Sequence, residues 1–192
     1  MSKEKQELNR RLRIFSVLQF AVALILFCWL APIQLTLAKE IPITLQSLLV
    51  VLAGLFLGAR SGFVLVSIYL ILGALGLPIF ANGSSGIEKF YGATAGFLFS
   101  FPIAAWCAGY CGARFKNIYG VLLAFCLGHA VILSLGFAWL GFALGFDGIF
   151  NKMVLLLPGL IVKVVIGSLL VGSVRRGIQH RKNKIFLSGV SC

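Results

Sequence analysis

Lys163 stands in the middle of the apolar run LPGLIVKVVIG, residues 157–167. An ammonium group at the centre of a membrane helix costs about 2.5–3.5 kcal/mol on insertion scales, so it demands a compensating partner. No acid lies inside any long apolar run: Glu4 and Glu7 precede the first, and Glu40, Glu88 and Asp147 fall in connections. Three arrangements answer the demand. The amine is uncharged or satisfied by backbone carbonyls; or it pairs with Glu88; or it sits in a pocket open to the outside, where a ligand's anionic or carbonyl oxygen completes its hydrogen bonds. The third makes Lys163 a ligand-binding residue, and it is the reading preferred here.

Other reactive side chains offer less. His129, in CLGHAVIL, has no second histidine nearby, since His180 lies close to the chain's end. Proton relays use chains of acids and histidines, so His129 is expected to hydrogen-bond between helices. Cys107 and Cys111 share a helix face without a histidine beside them. Together with Cys28, Cys126 and Cys192 they fit neither a zinc site nor a disulfide framework, and packing is their expected role; no metal or cofactor is anticipated. H-E-x-x-H, G-x-S-x-G and the G-x-x-x-x-G-K-[ST] phosphate cradle are all missing. The sequence therefore points away from an enzyme, and any transport driven by ATP needs a separate ATPase.

The elements that must position these residues follow from composition. Sixty per cent of the 192 residues are hydrophobic and 11% charged, against about a quarter charged in soluble domains. Five acids and seventeen Lys and Arg cannot coat a soluble fold of this length, which makes the chain a membrane protein. The net charge of +12 collects at the two ends, with no nucleic-acid-binding pattern around it, so no nucleic acid is expected as a partner. Six runs approach the roughly twenty residues needed to cross a bilayer: 12–30, 44–59, 62–80, 93–112, 119–146 and 153–173. They define an all-α integral membrane domain over 12–173, with six transmembrane helices between a basic segment, 1–11, and a basic tail, 174–192. The fifth run is long enough to tilt or to break near Gly136 or Gly141. The first is expected to be a true span and not a cleaved signal, because its apolar core exceeds the length of a signal's.

Positive charges orient the bundle. Thirteen of the Lys and Arg fall on the side of the termini; Lys39, Lys89 and Lys152 fall opposite, with Lys163 inside a span. Both termini are thereby assigned to the cytoplasm. The connections 32–43 and 81–92 then face outward, and their polar atoms suit a cavity lining. Small residues four apart, such as Gly54 with Gly58 and Ala104 with Ala108, allow helices to pack closely.

The polar connections also carry a resemblance. IPITLQSLLVVLAGLFLGARSGFVLVSIYLILGALGLPIFANGSSG closely resembles the BioY family, the biotin-capturing S component of energy-coupling-factor (ECF) transporters. YGATAGFLFSF is similar to that family's G-P-T-G-G-Y segment, and LPGLIVK to its P-G-D-x-x-K motif. Together they cover about residues 41–167. The resemblance implies an ECF S-component-like bundle in the plasma membrane, of bacterial inner-membrane type, with a ligand pocket toward the outer side. It implies biotin as the transported ligand, and as partners a membrane coupling subunit and two ATP-binding subunits. A stand-alone facilitator or secondary carrier shares the same spans and pocket, and is the alternative. Lys163, Thr44, Gln46, Asn82, Ser84 and Tyr91 are candidate polar contacts for biotin, with Leu45, Phe80 and Phe90 as apolar walls. Gly92, Thr94 and Gly159 enter through the matching motifs. Two departures stand out: Leu160 replaces the acid of P-G-D-x-x-K, and Ala93 replaces the proline of G-P-T. An acid three residues before Lys163 would share its helix face, so here the lysine lacks that partner.

Overall fold

The computed structural model describes residues 3–37, 41–115, 117–146 and 149–189. Lys39, Glu40, Asp147 and Cys192, named above, lie outside the described residues. Six helices account for most of the rest: α1 (Lys3–Leu30), α2 (Gln46–Leu57), α3 (Ala59–Ala74), α4 (Ala95–Arg114), α5 (Ile118–Leu144) and α6 (Ile149–Gly189). Such apolar segments become helices because a helix satisfies every backbone polar group internally, which lipid cannot do for it.

Local chemistry sets the ends. Asn117 caps α5, its side-chain oxygen accepting from the Gly120 N–H at 2.9 Å. Gly58, with φ of 84°, is the single residue between α2 and α3, a backbone conformation that a residue with a Cβ rarely adopts. Leu75 ends α3, and Gly76 follows with φ of 106°.

Three points refine the sequence reading. Within the connection at 32–43, β1 (Gln34–Leu37) pairs antiparallel with β2 (Ile41–Thr44), Gln34 opposite Thr44, so the regular structure of the described residues is helical apart from this strand pair. Thr44 therefore ends a strand and does not open a span. Among the described residues, four stretches are long and apolar enough to cross a membrane: Glu4–Leu30, Ala95–Arg114, Ile118–Ala143 and Leu156–Gly177. Helices α2 and α3, with 12 and 16 residues, reach only about 18 Å and 24 Å at 1.5 Å per residue, short of a hydrocarbon core about 30 Å thick. Finally, α5 runs unbroken through Gly136 and Gly141.

Helix α4 lies in the middle, packed on α2, α3 and α5; α6 packs on α5, and α1 lies at the edge against α3 and α2. The contact among α2, α3 and α4 is backbone on backbone. A Cβ on Gly54 would collide with the backbone of Ala105 and Gly109, one on Gly62 with Gly54, and one on Gly109 with Ala59. Where lipid tails are as apolar as leucine, this close approach gains van der Waals contact that larger side chains would prevent. One buried cluster joins Leu65, Val66, Tyr69, Leu98, Phe101 and Ile132. A second joins Val51, Ala108, Val121, Phe125 and Val171.

Candidate functional site

A cavity of about 260 Å³ opens between the first turn of α2, the 81–89 connection and one stripe from each of α4, α5 and α6. The stripes follow helical spacing. Helix α4 contributes Phe97, Leu98 and Phe101 with Thr94 at its cap; α5 contributes His129, Ile132 and Leu133; α6 contributes Leu156, Gly159, Leu160 and Lys163. Residues three, four and seven apart share a helix face. Small-molecule pockets usually begin near 300 Å³, so this space suits a compact guest. The short α2 makes room for it. That helix spans about 12 Å less than the hydrocarbon thickness, and its first residues, Gln46 and Ser47, are cavity lining.

Lys163 finds its partner on α2. Its Nζ donates to Ser47 Oγ at 2.8 Å, joining the last helix to the second. Neither backbone carbonyls nor Glu88 serve this purpose: the Glu88 carboxylate curls back over Gly86, filling the place a Cβ would take there. A hydroxyl satisfies one of an ammonium's three donors. Among the described residues no hydrogen-bond acceptor takes the remaining two.

Gln46, 5% exposed, is fixed by a short relay. Its Nε2 donates to Tyr69 Oη at 2.5 Å, and the Tyr69 hydroxyl donates to the Ile79 carbonyl at 2.9 Å. The relay ties α2 to α3 and to the start of the 81–89 connection. Phe80 is seated next to it, the tip of its ring against Gly73, where any Cβ would enter the ring. From Phe80 a chain of edge contacts continues through Phe90 and Phe99 to Trp139. The Trp139 indole N–H donates to the Gly92 carbonyl at 3.0 Å, fastening the connection to α5.

Six of the nine site residues expected from sequence line the cavity: Thr44, Gln46, Ser84, Thr94, Gly159 and Lys163. Asn82, Tyr91 and Gly92 do not. Asn82 occupies a left-handed turn at φ 58°, its N–H bonded to the Pro32 carbonyl. Tyr91 is 79% exposed. Gly92 serves through its carbonyl, as the acceptor for Trp139. Of the expected apolar walls only Phe80 lines the space; Leu45 packs against the second buried cluster and Phe90 against the first.

Three polar lining residues were missed: Ser47, Lys89 and His129. Nothing in the sequence distinguishes Ser47 from a packing serine. Lys89 stood out only as one of three cations opposite the termini. His129 was expected to bond between helices, yet its Nδ1 bonds the Phe125 carbonyl of its own helix at 3.0 Å. Among the described residues no cluster of three or more His, Cys, Asp or Glu stands together to hold a metal. The cavity thus combines two lysines, no acid, several hydroxyls and a largely apolar wall, a lining suited to an acid-bearing guest with a compact apolar body.

Comparison with known proteins agrees with this architecture. A family model described as the BioY family matches residues 3–180. A probable biotin transporter BioY of Pyrococcus horikoshii is 41% identical over 110 residues, 57% of this chain and 65% of that protein. The biotin transporter BioY of Rhizobium etli is 36% identical over 162 residues, covering 79% of this chain and 86% of that one. BioY2 of Lactococcus lactis is 32% identical over 134 residues, 68% and 71% of the two chains. The crystal structure of the S-component for biotin from an ECF-type ABC transporter superposes with a TM-score of 0.72 over 92% of this chain and 95% of that one, at 21% identity. At that identity the superposition establishes the shared fold.

Proposed function

This chain belongs to the BioY family, and on that premise we propose that it captures biotin in the cavity beside Lys163 for uptake across the membrane. The family is one of transporters and not of enzymes. The observation that carries the reading is the cavity lining: Lys163 on Ser47 and Lys89 in the 81–89 connection, with no acid in that lining among the described residues. Biotin brings a carboxylate, a ureido carbonyl with two N–H groups, and an apolar thioether ring. Its carboxylate is assigned to Lys89, in the outer connection, where an anion gives up least hydration. Lys163, deeper along α6, is left to donate to the ureido carbonyl. The ring lies against Phe97, Leu98, Phe101 and Leu160. Ser84, Thr44, Thr94 and Gln46 stand within the same lining as further polar contacts.

All six helices are proposed to lie in the plasma membrane of a bacterial-type cell, over 12–173, with α2 and α3 as its short members. Both ends, 1–11 and 174–192, face the cytoplasm, which the excess of Lys and Arg on that side supports. A membrane coupling subunit and two ATP-binding subunits are the proposed partners, because the chain carries no phosphate-binding loop of its own.

Equilibrium binding of biotin to the purified full chain tests the reading. The wild-type protein should bind saturably. Lys163→Ala should weaken binding more than tenfold, since hydrogen bonds to charged groups contribute about 1.5–3 kcal/mol and 1.4 kcal/mol is a factor of ten. Unchanged affinity would remove Lys163 from the site. Absence of saturable binding by the wild type would defeat the assignment to biotin. In cells lacking every coupling ATPase, accumulation of biotin against a gradient should be lost; its persistence would indicate a stand-alone carrier.

A further inference from the structure

His129 is 3% exposed and lines the cavity, yet its Nε2 has no hydrogen-bond partner among the described residues. A buried polar atom left unpaired is costly, and native structures seldom tolerate one without a reason. The tautomer is set by the other nitrogen. Nδ1 faces the Phe125 carbonyl, which can only accept, so Nδ1 carries the hydrogen and Nε2 of the neutral ring is an acceptor. The ring is also held in place, lying nearly parallel to Phe125 at an interplanar angle of 20°.

Position along the bundle adds a second observation. Helices α5 and α6 pack against each other, and His129 and Lys163 each lie about 22 Å from the connection between them, at 1.5 Å per residue. Both line the same cavity at the same level, one able only to accept and the other only to donate. Among the described residues the cavity wall around them has no carboxylate, and position 160, one turn before Lys163, is a leucine. A guest with a hydrogen-bond acceptor and an N–H donor on adjacent atoms would engage both. A cyclic urea has that arrangement; a carboxylate offers no N–H.

We infer that His129 is a specificity-determining residue whose Nε2 accepts one ureido N–H of the ligand while Lys163 donates to the adjacent ureido carbonyl. The inference rests on the biotin reading above and deepens it by fixing which end of the vitamin enters first. It also names the acceptor that serves where Leu160 supplies none.

The test combines a change in the protein with a change in the ligand. Biotin and its two singly N-methylated ureido isomers are titrated against the purified full chain, wild type and His129→Leu. Wild type should lose roughly tenfold to a hundredfold toward one methyl isomer, the size expected for an unpaired buried group. His129→Leu should lose a similar factor toward biotin, and its penalty for that isomer should shrink to about twofold. His129→Gln, which keeps an acceptor and guards against a folding defect, should stay within about fivefold of wild type for biotin. The inference is overturned if His129→Leu binds biotin as wild type does, if the methyl penalty is the same in both proteins, or if His129→Gln loses as much as His129→Leu. Those failures leave the biotin assignment standing, whereas a wild type that binds no biotin overturns both.

Discussion

A single hydroxyl, that of Ser47, is what lets a lysine sit among apolar helices here, and it leaves most of the ammonium's donor capacity unspent. Lys89, to which the carboxylate is proposed to bind, is half-buried in a connection, where an ion pair is partly screened and correspondingly weak. Lys89→Ala should therefore lower biotin affinity only about threefold to tenfold. The methyl ester of biotin should bind wild type and Lys89→Ala equally, because it has no carboxylate to lose; competition binding of acid and ester against both proteins measures this. A larger effect on the ester than on the acid would move the carboxylate elsewhere. Lys163 was legible in the sequence because its cost is visible without any structure. Gln46, Thr44 and Ser84 could be picked out because polar groups beside apolar runs must face something polar. The same reasoning also selected Asn82 and Tyr91, which stand outside the cavity lining, since polarity in a connection does not say which way a side chain points. His129 and Ser47 stayed hidden for the opposite reason: they share a helix with many buried residues, and only the neighbours' positions separate a cavity wall from a core.

Among the elements, the glycines of α2, α3 and α4 have the sharpest consequence. At Gly54 and Gly109 even one added carbon meets backbone, whereas at Gly177 nothing lies within 4 Å. Alanine is a better helix former than glycine by about 1 kcal/mol. Gly177→Ala should then raise the apparent melting temperature in detergent or leave it unchanged. Gly54→Ala and Gly109→Ala should lower it, by an overpacking cost of about 1–3 kcal/mol that outweighs the gain in propensity. Equal behaviour of the three would mean that the helices part easily at this contact. Helix existence was plain from the apolar runs, as lipid leaves an apolar chain little choice. The lengths of α2 and α3 were not. The strand Ile41–Thr44 removes the start assigned to one, and the turn at Leu75 and Gly76 removes the end assigned to the other. Both depend on pairing and turns that a hydropathy pattern does not resolve. The hairpin's own clue, the β-branched residues of IPIT, is too short to outweigh two prolines nearby.

For the molecule as a whole, orientation is the proposal most directly checked in living cells. In a background with the native cysteines replaced, a membrane-impermeant thiol reagent added outside should label Ile87→Cys, in the exposed part of the 81–89 connection. It should label Arg114→Cys, at the end of α4, only after permeabilisation. The reverse pattern would invert the topology. Family membership could be read from the sequence because the polar connections and the glycine-rich stretches keep their order along the chain. The arrangement of the cavity could not, as it depends on how far each helix rises beside its neighbours. The glycine contact sets one more condition on movement. At Gly54, Gly62 and Gly109 main chain is pressed on main chain. Helices that touch in this way part only by losing many contacts at once, so α2, α3 and α4 should travel as one rigid body whenever the bundle shifts.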